Sequence, residues 1–116
     1  MRVAGLGFRA GAPLTSLAEA LDLAGPADAL ATIPGRAAAP AILALARARG
    51  LPLMAVEVAG IATPTQSPRV MALHATGSVA EAAALAALAP GAQIVAARVT
   101  SQDGMATAAI AEGDPA

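Results

Sequence analysis

Seven arginines and one histidine carry all the side-chain positive charge of this 116-residue chain, which contains no lysine. Two of the arginines stand in segments whose neighbours suit anion binding. In Gly5-Leu6-Gly7-Phe8-Arg9-Ala10-Gly11, glycines between a strand and a helix let backbone N–H groups approach an anion, and the helix N-terminus adds partial positive charge. Arg9 can grip a carboxylate or phosphate through two parallel hydrogen bonds. Gly7, Phe8, Arg9 and Gly11 are the ligand-binding candidates there. The segment is neither a dinucleotide-binding glycine motif nor a Walker loop, which would need a lysine. A tight turn bearing a solvated arginine explains the same residues.

The second segment, Thr63-Pro64-Thr65-Gln66-Ser67-Pro68-Arg69, offers hydroxyls, an amide and a guanidinium on a backbone stiffened by two prolines. Thr65, Gln66, Ser67 and Arg69 suit a polar ligand edge; an ordinary surface loop is the alternative. The third, Ala75-Thr76-Gly77-Ser78-Val79-Ala80-Glu81, places Gly77 and Ser78 at a helix start. Ser78 and Glu81 also have the spacing of a capping box, which favours a structural use of both.

For acid–base chemistry the candidates are His74, the only histidine and a residue type suited to general-base work, and Glu57, an acid inside an apolar run. His74 also suits a helix C-terminus on dipole grounds, and Glu57 the open side of a half-buried strand. One histidine and no cysteine exclude a His-rich or Cys-ligated metal site, a thiolate nucleophile and a disulfide, and no bound metal is expected. No resident cofactor is expected. Asp103 lies where turns favour aspartate in any case. Ser16, Ser67 and Ser78 lack the G-x-S-x-G elbow of a serine hydrolase.

These segments must be held by elements that the apolar pattern predicts. Strands are expected at Val3–Leu6, Ala29–Ile33, Leu53–Val58, Ile94–Val99 and Met105–Ala111. Helices are expected from Leu14, with Leu17, Leu21 and Ala24 on its stripe, over Ala38–Arg49 and over Val79–Leu88. Ser16 and Glu19 form a further capping-box pair, with Thr15 as the other N-cap choice. Ile42, Leu43, Leu45 and Ala46 should face the core, and Gly50 should end its helix. A short helix starting at Ser67 or Pro68 fits the second segment. Ser101-Gln102-Asp103-Gly104 should turn a closing hairpin, and the tail from Glu112 to Ala116 should fray. Alternating strands and helices predict one α/β domain over residues 1–116: three α/β/α layers around a small mixed, mostly parallel sheet.

Composition narrows the function. Hydrophobic residues make up 57% of the chain, but aromatics only 1%, so alanine dominates. A net charge of −1 gives no basic field for nucleic acid, and a single aromatic, Phe8, is no platform for stacking successive bases. The start Met1-Arg2-Val3-Ala4-Gly5 is too short and glycine-broken to read as a signal peptide. The run from Ala80 to Ala89, apolar but for Glu81, is far below the roughly 20 residues of a membrane span. A soluble, cytoplasmic protein is expected.

Taken in order, the segments resemble the CobE/CbiG C-terminal family of cobalamin biosynthesis. Gly5-Leu6-Gly7-Phe8-Arg9-Ala10-Gly11 is similar to that family's opening G-[IL]-G-x-R-x-G, and Gly50-Leu51-Pro52-Leu53 to its second helix-to-strand join. Ser67-Pro68-Arg69-Val70 resembles its S-x-x-V pattern. Gly77-Ser78-Val79-Ala80-Glu81-Ala82-Ala83-Ala84-Leu85 resembles its G-x-V-x-E-x-A-A-L, and Met105 to Ala111 its closing strand. The chain departs at Ala31-Thr32-Ile33-Pro34-Gly35-Arg36-Ala37-Ala38, where many CbiG members carry an acid and a lysine. The resemblance covers the C-terminal part of CbiG and not its N-terminal part. It implies binding of, or action on, a corrin-ring (precorrin-type) intermediate in the aerobic pathway. A second expectation is a hydrolase that opens the lactone of a precorrin-5A-type intermediate with release of acetaldehyde, using His74 or Glu57 to activate water. A third is a non-catalytic partner of another cobalamin-pathway enzyme.

Overall fold

A computed structural model describes residues 1–74 and 76–116. Its elements run β1 (Arg2–Phe8), α1 (Leu14–Ala24), β2 (Ala29–Thr32), α2 (Pro40–Arg49), β3 (Leu53–Ala55), α3 (Pro68–His74), α4 (Val79–Ala86), β4 (Gln93–Thr100) and β5 (Ala106–Glu112). The sheet order is β3-β2-β1-β5-β4. β1–β2 and β2–β3 pair in parallel; β1–β5 and β5–β4 pair antiparallel. Only β5 runs against the other four strands, so the sheet is mostly parallel by direction but evenly divided by pairing.

The strand period of two sorts β1 between two cores. Ala4 and Leu6 pack with Leu17 and Leu21 of α1 and Ile42 and Leu45 of α2. Val3 points to the opposite face, where Ala82, Ala83, Ala84 and Ala87 pack with Leu88. That face also holds Gly5, where a Cβ would lie 2.6 Å from the backbone nitrogen of Ala84. Alanine on α4 and glycine on β1 thus let helix and sheet backbones nearly touch. The result is the expected α/β/α layering.

Several expectations are corrected at element ends. β3 stops at Ala55, well short of Val58; it is an edge strand, and only Val56 N–H continues toward β2, bonding the Thr32 carbonyl at 2.9 Å. Leu43 and Leu14 are exposed: Leu43 falls off the stripe of Ile42 and Leu45 on α2, and Leu14 is the first residue of α1, at the open end of its stripe. Pro40 sits in the first turn of α2, and Gly50 ends that helix in the left-handed region at φ 63°, as a C′ glycine should. The tail does not simply fray. Glu112 belongs to β5, Ala89 N–H donates to the Asp114 carbonyl at 2.9 Å, and Leu88 bridges Pro115.

The Ser16–Glu19 capping box does not form. Pro13 is the N-cap of α1 and makes no side-chain cap. Ser16 is buried and its hydroxyl donates to Asp103, while the Glu19 carboxylate accepts from Gln102 N–H. Both side chains reach a turn more than 80 residues away, a tertiary use that local spacing does not reveal.

Candidate functional site

The chain runs outward from β1 to β2 and β3, then returns across the other face to β4. Such a reversal leaves a crevice beyond the C-terminal ends of parallel strands. A cleft of about 420 Å³ lies there. It is bordered by the ends of β1 (Gly7, Phe8) and β2 (Thr32), the turn before β5 (Gly104, Met105), and the starts of α3 and α4.

Four arginines line this cleft: Arg9, Arg36, Arg69 and Arg98. No carboxylate lines it among the described residues. The one ion pair among the described residues, Asp22–Arg49 at 2.7 Å, lies elsewhere. None of the four cleft arginines is therefore neutralised by a protein acid. Arg9 and Arg69 are exposed, whereas Arg36 and Arg98 are half-buried. Arg36 is anchored: its Nε donates to the Phe8 carbonyl at 3.1 Å. Phe8, Ile33, Val70, Val79 and Met105 supply apolar surface between the charges.

Thr32 Oγ1 donates to the Leu6 carbonyl at 2.8 Å, and Thr107 Oγ1 to the Gly7 carbonyl at 3.2 Å. Arg9 N–H bonds the Met105 carbonyl at 3.0 Å, which joins the first segment to the hairpin. That hairpin turn is itself fastened to α1. Asp103 accepts from Ser16, from Ser101 Oγ at 2.7 Å and from Met105 N–H at 3.0 Å. Hydrogen bonds from Ser16, Ser101 and the Met105 amide hold its carboxyl below the usual aspartate value.

A depressed carboxylate stabilises the fold above the unfolded pKa, and the contribution is lost as pH falls through the folded value. Asp103→Asn should therefore lower the urea midpoint by a constant amount between about pH 5 and 8. The gap from the parent should close below about pH 4. A gap that stays constant under acid conditions would show that ionisation of Asp103 is not its source.

Of the residues chosen from sequence, Gly7, Phe8, Arg9, Ser67, Arg69, His74 and Ser78 line the cleft. Gly11, Thr65, Gln66 and Gly77 do not. Gly11 is an exposed turn residue at φ 81°. Thr65 hydrogen bonds to Glu81, and Gln66 Nε2 donates to the Thr63 carbonyl at 2.9 Å. The Gln66 side chain lies against Gly77, where a Cβ would come within 2.7 Å of Nε2. Ser78 Oγ accepts from Glu81 N–H at 3.3 Å, so it caps α4 while bordering the cleft. Ala75, which begins the third segment, lies outside the described residues.

Glu57 is exposed and lines a second cleft, of about 490 Å³, with Val58, Pro34 and Ala72. Ile33 and His74 line both clefts. Among the described residues no group of three or more His, Cys, Asp or Glu could hold a metal ion, and no helix is long and apolar enough to cross a membrane.

Sequence reading missed Arg36 and Arg98. Arg36 was visible only as the lone charge of a segment lacking the acid and lysine of many CbiG members. Arg98 carried a signal of the kind that drew attention to Glu57: a charge within an apolar strand.

The cobalamin synthesis G C-terminus family matches the chain over residues 2–111. CobE, a protein from the cobalamin (vitamin B12) biosynthetic pathway, is similar in structure with a TM-score of 0.80 and 26% identity. That match covers 100% of this chain and 92% of CobE. The cobalamin biosynthesis protein chiG from Agrobacterium tumefaciens str. C58 is similar with a TM-score of 0.71 and 32% identity, covering 96% of this chain and 97% of chiG. No curated protein sequence matches. With its segments in family order and its fold shared end to end with two proteins of one pathway, the chain is a cobalamin biosynthesis protein belonging to the cobalamin synthesis G C-terminus family.

Proposed function

We propose that the arginine-lined cleft binds a corrin-ring (precorrin-type) intermediate by its peripheral carboxylates. The observation that carries this reading is the charge pattern: four arginines and no acid among the described lining residues, in a chain whose net charge is −1. Unpaired guanidiniums call for an anion, and their spread around an apolar floor suits a ligand with several carboxylates on a flat hydrophobic body. The cleft is smaller than such a ring, so it holds one edge, with the remainder lying over the Ile33–His74 wall toward the second cleft. Binding or carriage in the aerobic pathway, in the cytoplasm, is the corresponding role; hand-over to another cobalamin-pathway enzyme fits an open site.

Titration with hydrogenobyrinic acid should give a saturable shift of its absorption spectrum, weakened by added salt as charge–charge contacts require. Absence of any shift at high micromolar ligand would overturn the proposal.

A second reading is hydrolysis, as in the lactone opening implied by the resemblance to CbiG. It is favoured by His74, which stands half-buried on the wall shared by both clefts, with Glu57 bordering the second. Release of acetaldehyde from a precorrin-5A-type lactone tests it. Full activity in a His74→Ala, Glu57→Ala double variant would remove these two residues from the chemistry while leaving the reaction standing.

A further inference from the structure

Glu81 is the one charged side chain that is fully buried among the described residues. Burying a carboxylate is costly unless hydrogen bonds replace its water, and here three do so. Oε1 accepts from Thr65 N–H at 3.0 Å and from Thr65 Oγ1 at 2.6 Å; Oε2 accepts from Arg98 N–H at 3.0 Å. The sequence pattern suggested a capping box, in which Glu81 would turn back toward Ser78. Its carboxylate instead faces away from that partner, between two segments that are distant in sequence.

Both segments carry cleft arginines. Thr65 lies four residues before Arg69, in a loop braced by Thr63 Oγ1 on the Thr65 carbonyl at 2.8 Å and by Ser67 N–H on the Gly77 carbonyl at 2.7 Å. On the other side, β4 is irregular. Ala96 pairs with Ile110 and Val99 with Ala108, so Ala97 and Arg98 together oppose Ala109. Such a bulge leaves an amide outside the ladder and re-aims a side chain. The Arg98 amide is the one Glu81 takes.

We infer that Glu81 is a positioning residue of the cleft: its carboxylate ties the bulge of β4 to the 63–69 loop and so sets the places of Arg98 and Arg69. It does not touch the ligand; it acts through the two arginines. This inference rests on the proposed carboxylate-binding role of the cleft, but the tie itself can be tested without any ligand.

Glu81→Gln keeps the shape and replaces one acceptor oxygen by a donor, so it cannot accept from both segments. Amide hydrogen exchange at Thr65 and Arg98 should then quicken by about ten-fold or more, while β1 and β5 amides keep their protection. Unchanged exchange at both amides would overturn the inference. For the ligand arm, Glu81→Gln should weaken hydrogenobyrinic acid binding by about ten-fold in the parent. On an Arg69→Gln/Arg98→Gln background the loss should be under about two-fold, because coupled residues are not additive. A ten-fold loss that persists on that background would show a role independent of the arginines and sink the inference. Should Glu81→Gln not fold, Thr65→Val removes only the hydroxyl bond and is read by the same cycle. If the parent fails to bind hydrogenobyrinic acid, the ligand reading falls alone, and hydrogen exchange still decides the role of Glu81.

Discussion

Gly5→Val should abolish the folded state, giving an insoluble chain or one without a cooperative urea transition. The cause is the backbone contact between β1 and α4. A Cβ at position 5 would come within 2.6 Å of the Ala84 nitrogen and within 2.9 Å of the Ala80 carbonyl carbon. Neither atom can rotate away, because both belong to the helix backbone. Overpacking costs about 1–3 kcal/mol where side chains can shift, and more where they cannot. Here α4 would have to lift from the sheet, opening the core formed by Val3, Ala83 and Ala84. A small domain has only about 5–15 kcal/mol of stability to lose. Gly7→Ala provides the contrast: its nearest neighbour, at 3.0 Å, is the Thr107 hydroxyl, a side-chain atom. It should lower the urea midpoint only modestly. Equal stability of Gly5→Val and Gly7→Ala would refute this account of helix–sheet packing.

The other large effect should appear in binding. Arg36→Gln/Arg98→Gln should weaken hydrogenobyrinic acid by about 100-fold or more, since hydrogen bonds to charged groups contribute about 1.5–3 kcal/mol each. These two arginines are half-buried, so water screens them less than Arg9 and Arg69. Arg36 is also pre-placed by its bond to the Phe8 carbonyl, which lowers the ordering cost of binding. Single Gln variants at exposed Arg9 or Arg69 should each cost less than the half-buried pair. Arg47→Gln, outside the cleft on exposed α2 surface, should leave affinity unchanged. Equal losses for Arg47→Gln and the half-buried pair would mean that the ligand senses net charge and not this cleft. A thermal melt of each variant separates lost binding from lost fold.

Much of the architecture follows from local pattern. Strand and helix types, the glycine stop at Gly50, the first-turn proline of α2, the late hairpin and the short helix after Ser67 are all written in neighbouring residues. Periodicity and turn chemistry act over a few positions, so a single sequence displays them. The ordered segments likewise placed the chain in its family, and Arg9 and Arg69 were recognisable because each sits among turn-forming or hydroxyl residues.

Tertiary structure decided how the polar groups are used. Ser16 and Glu19, spaced as a helix cap, fasten a distant turn. Thr65 and Gln66, read from sequence as a ligand edge, hydrogen bond to Glu81 and to the Thr63 carbonyl, Gly77 packs against the Gln66 side chain, and none of the three lines the cleft. Glu81, spaced as the partner of Ser78, bonds Thr65 and the bulge at Arg98. Hydrogen-bond capacity can be read from residue type, but its partner depends on which segments the sheet brings together.

The arginines show the same division. Sequence determined their number, the absence of lysine and an overall charge near zero. It presented two of them as a site and left Arg36 and Arg98 as isolated charges. Only the sheet order, which brings the ends of β1 and β2, the bulge of β4 and the starts of α3 and α4 around one cleft, gathers four of them where no acid lines the wall among the described residues. Net charge is a sum over the chain, whereas the field at a site depends on distance, and distance is set by the fold.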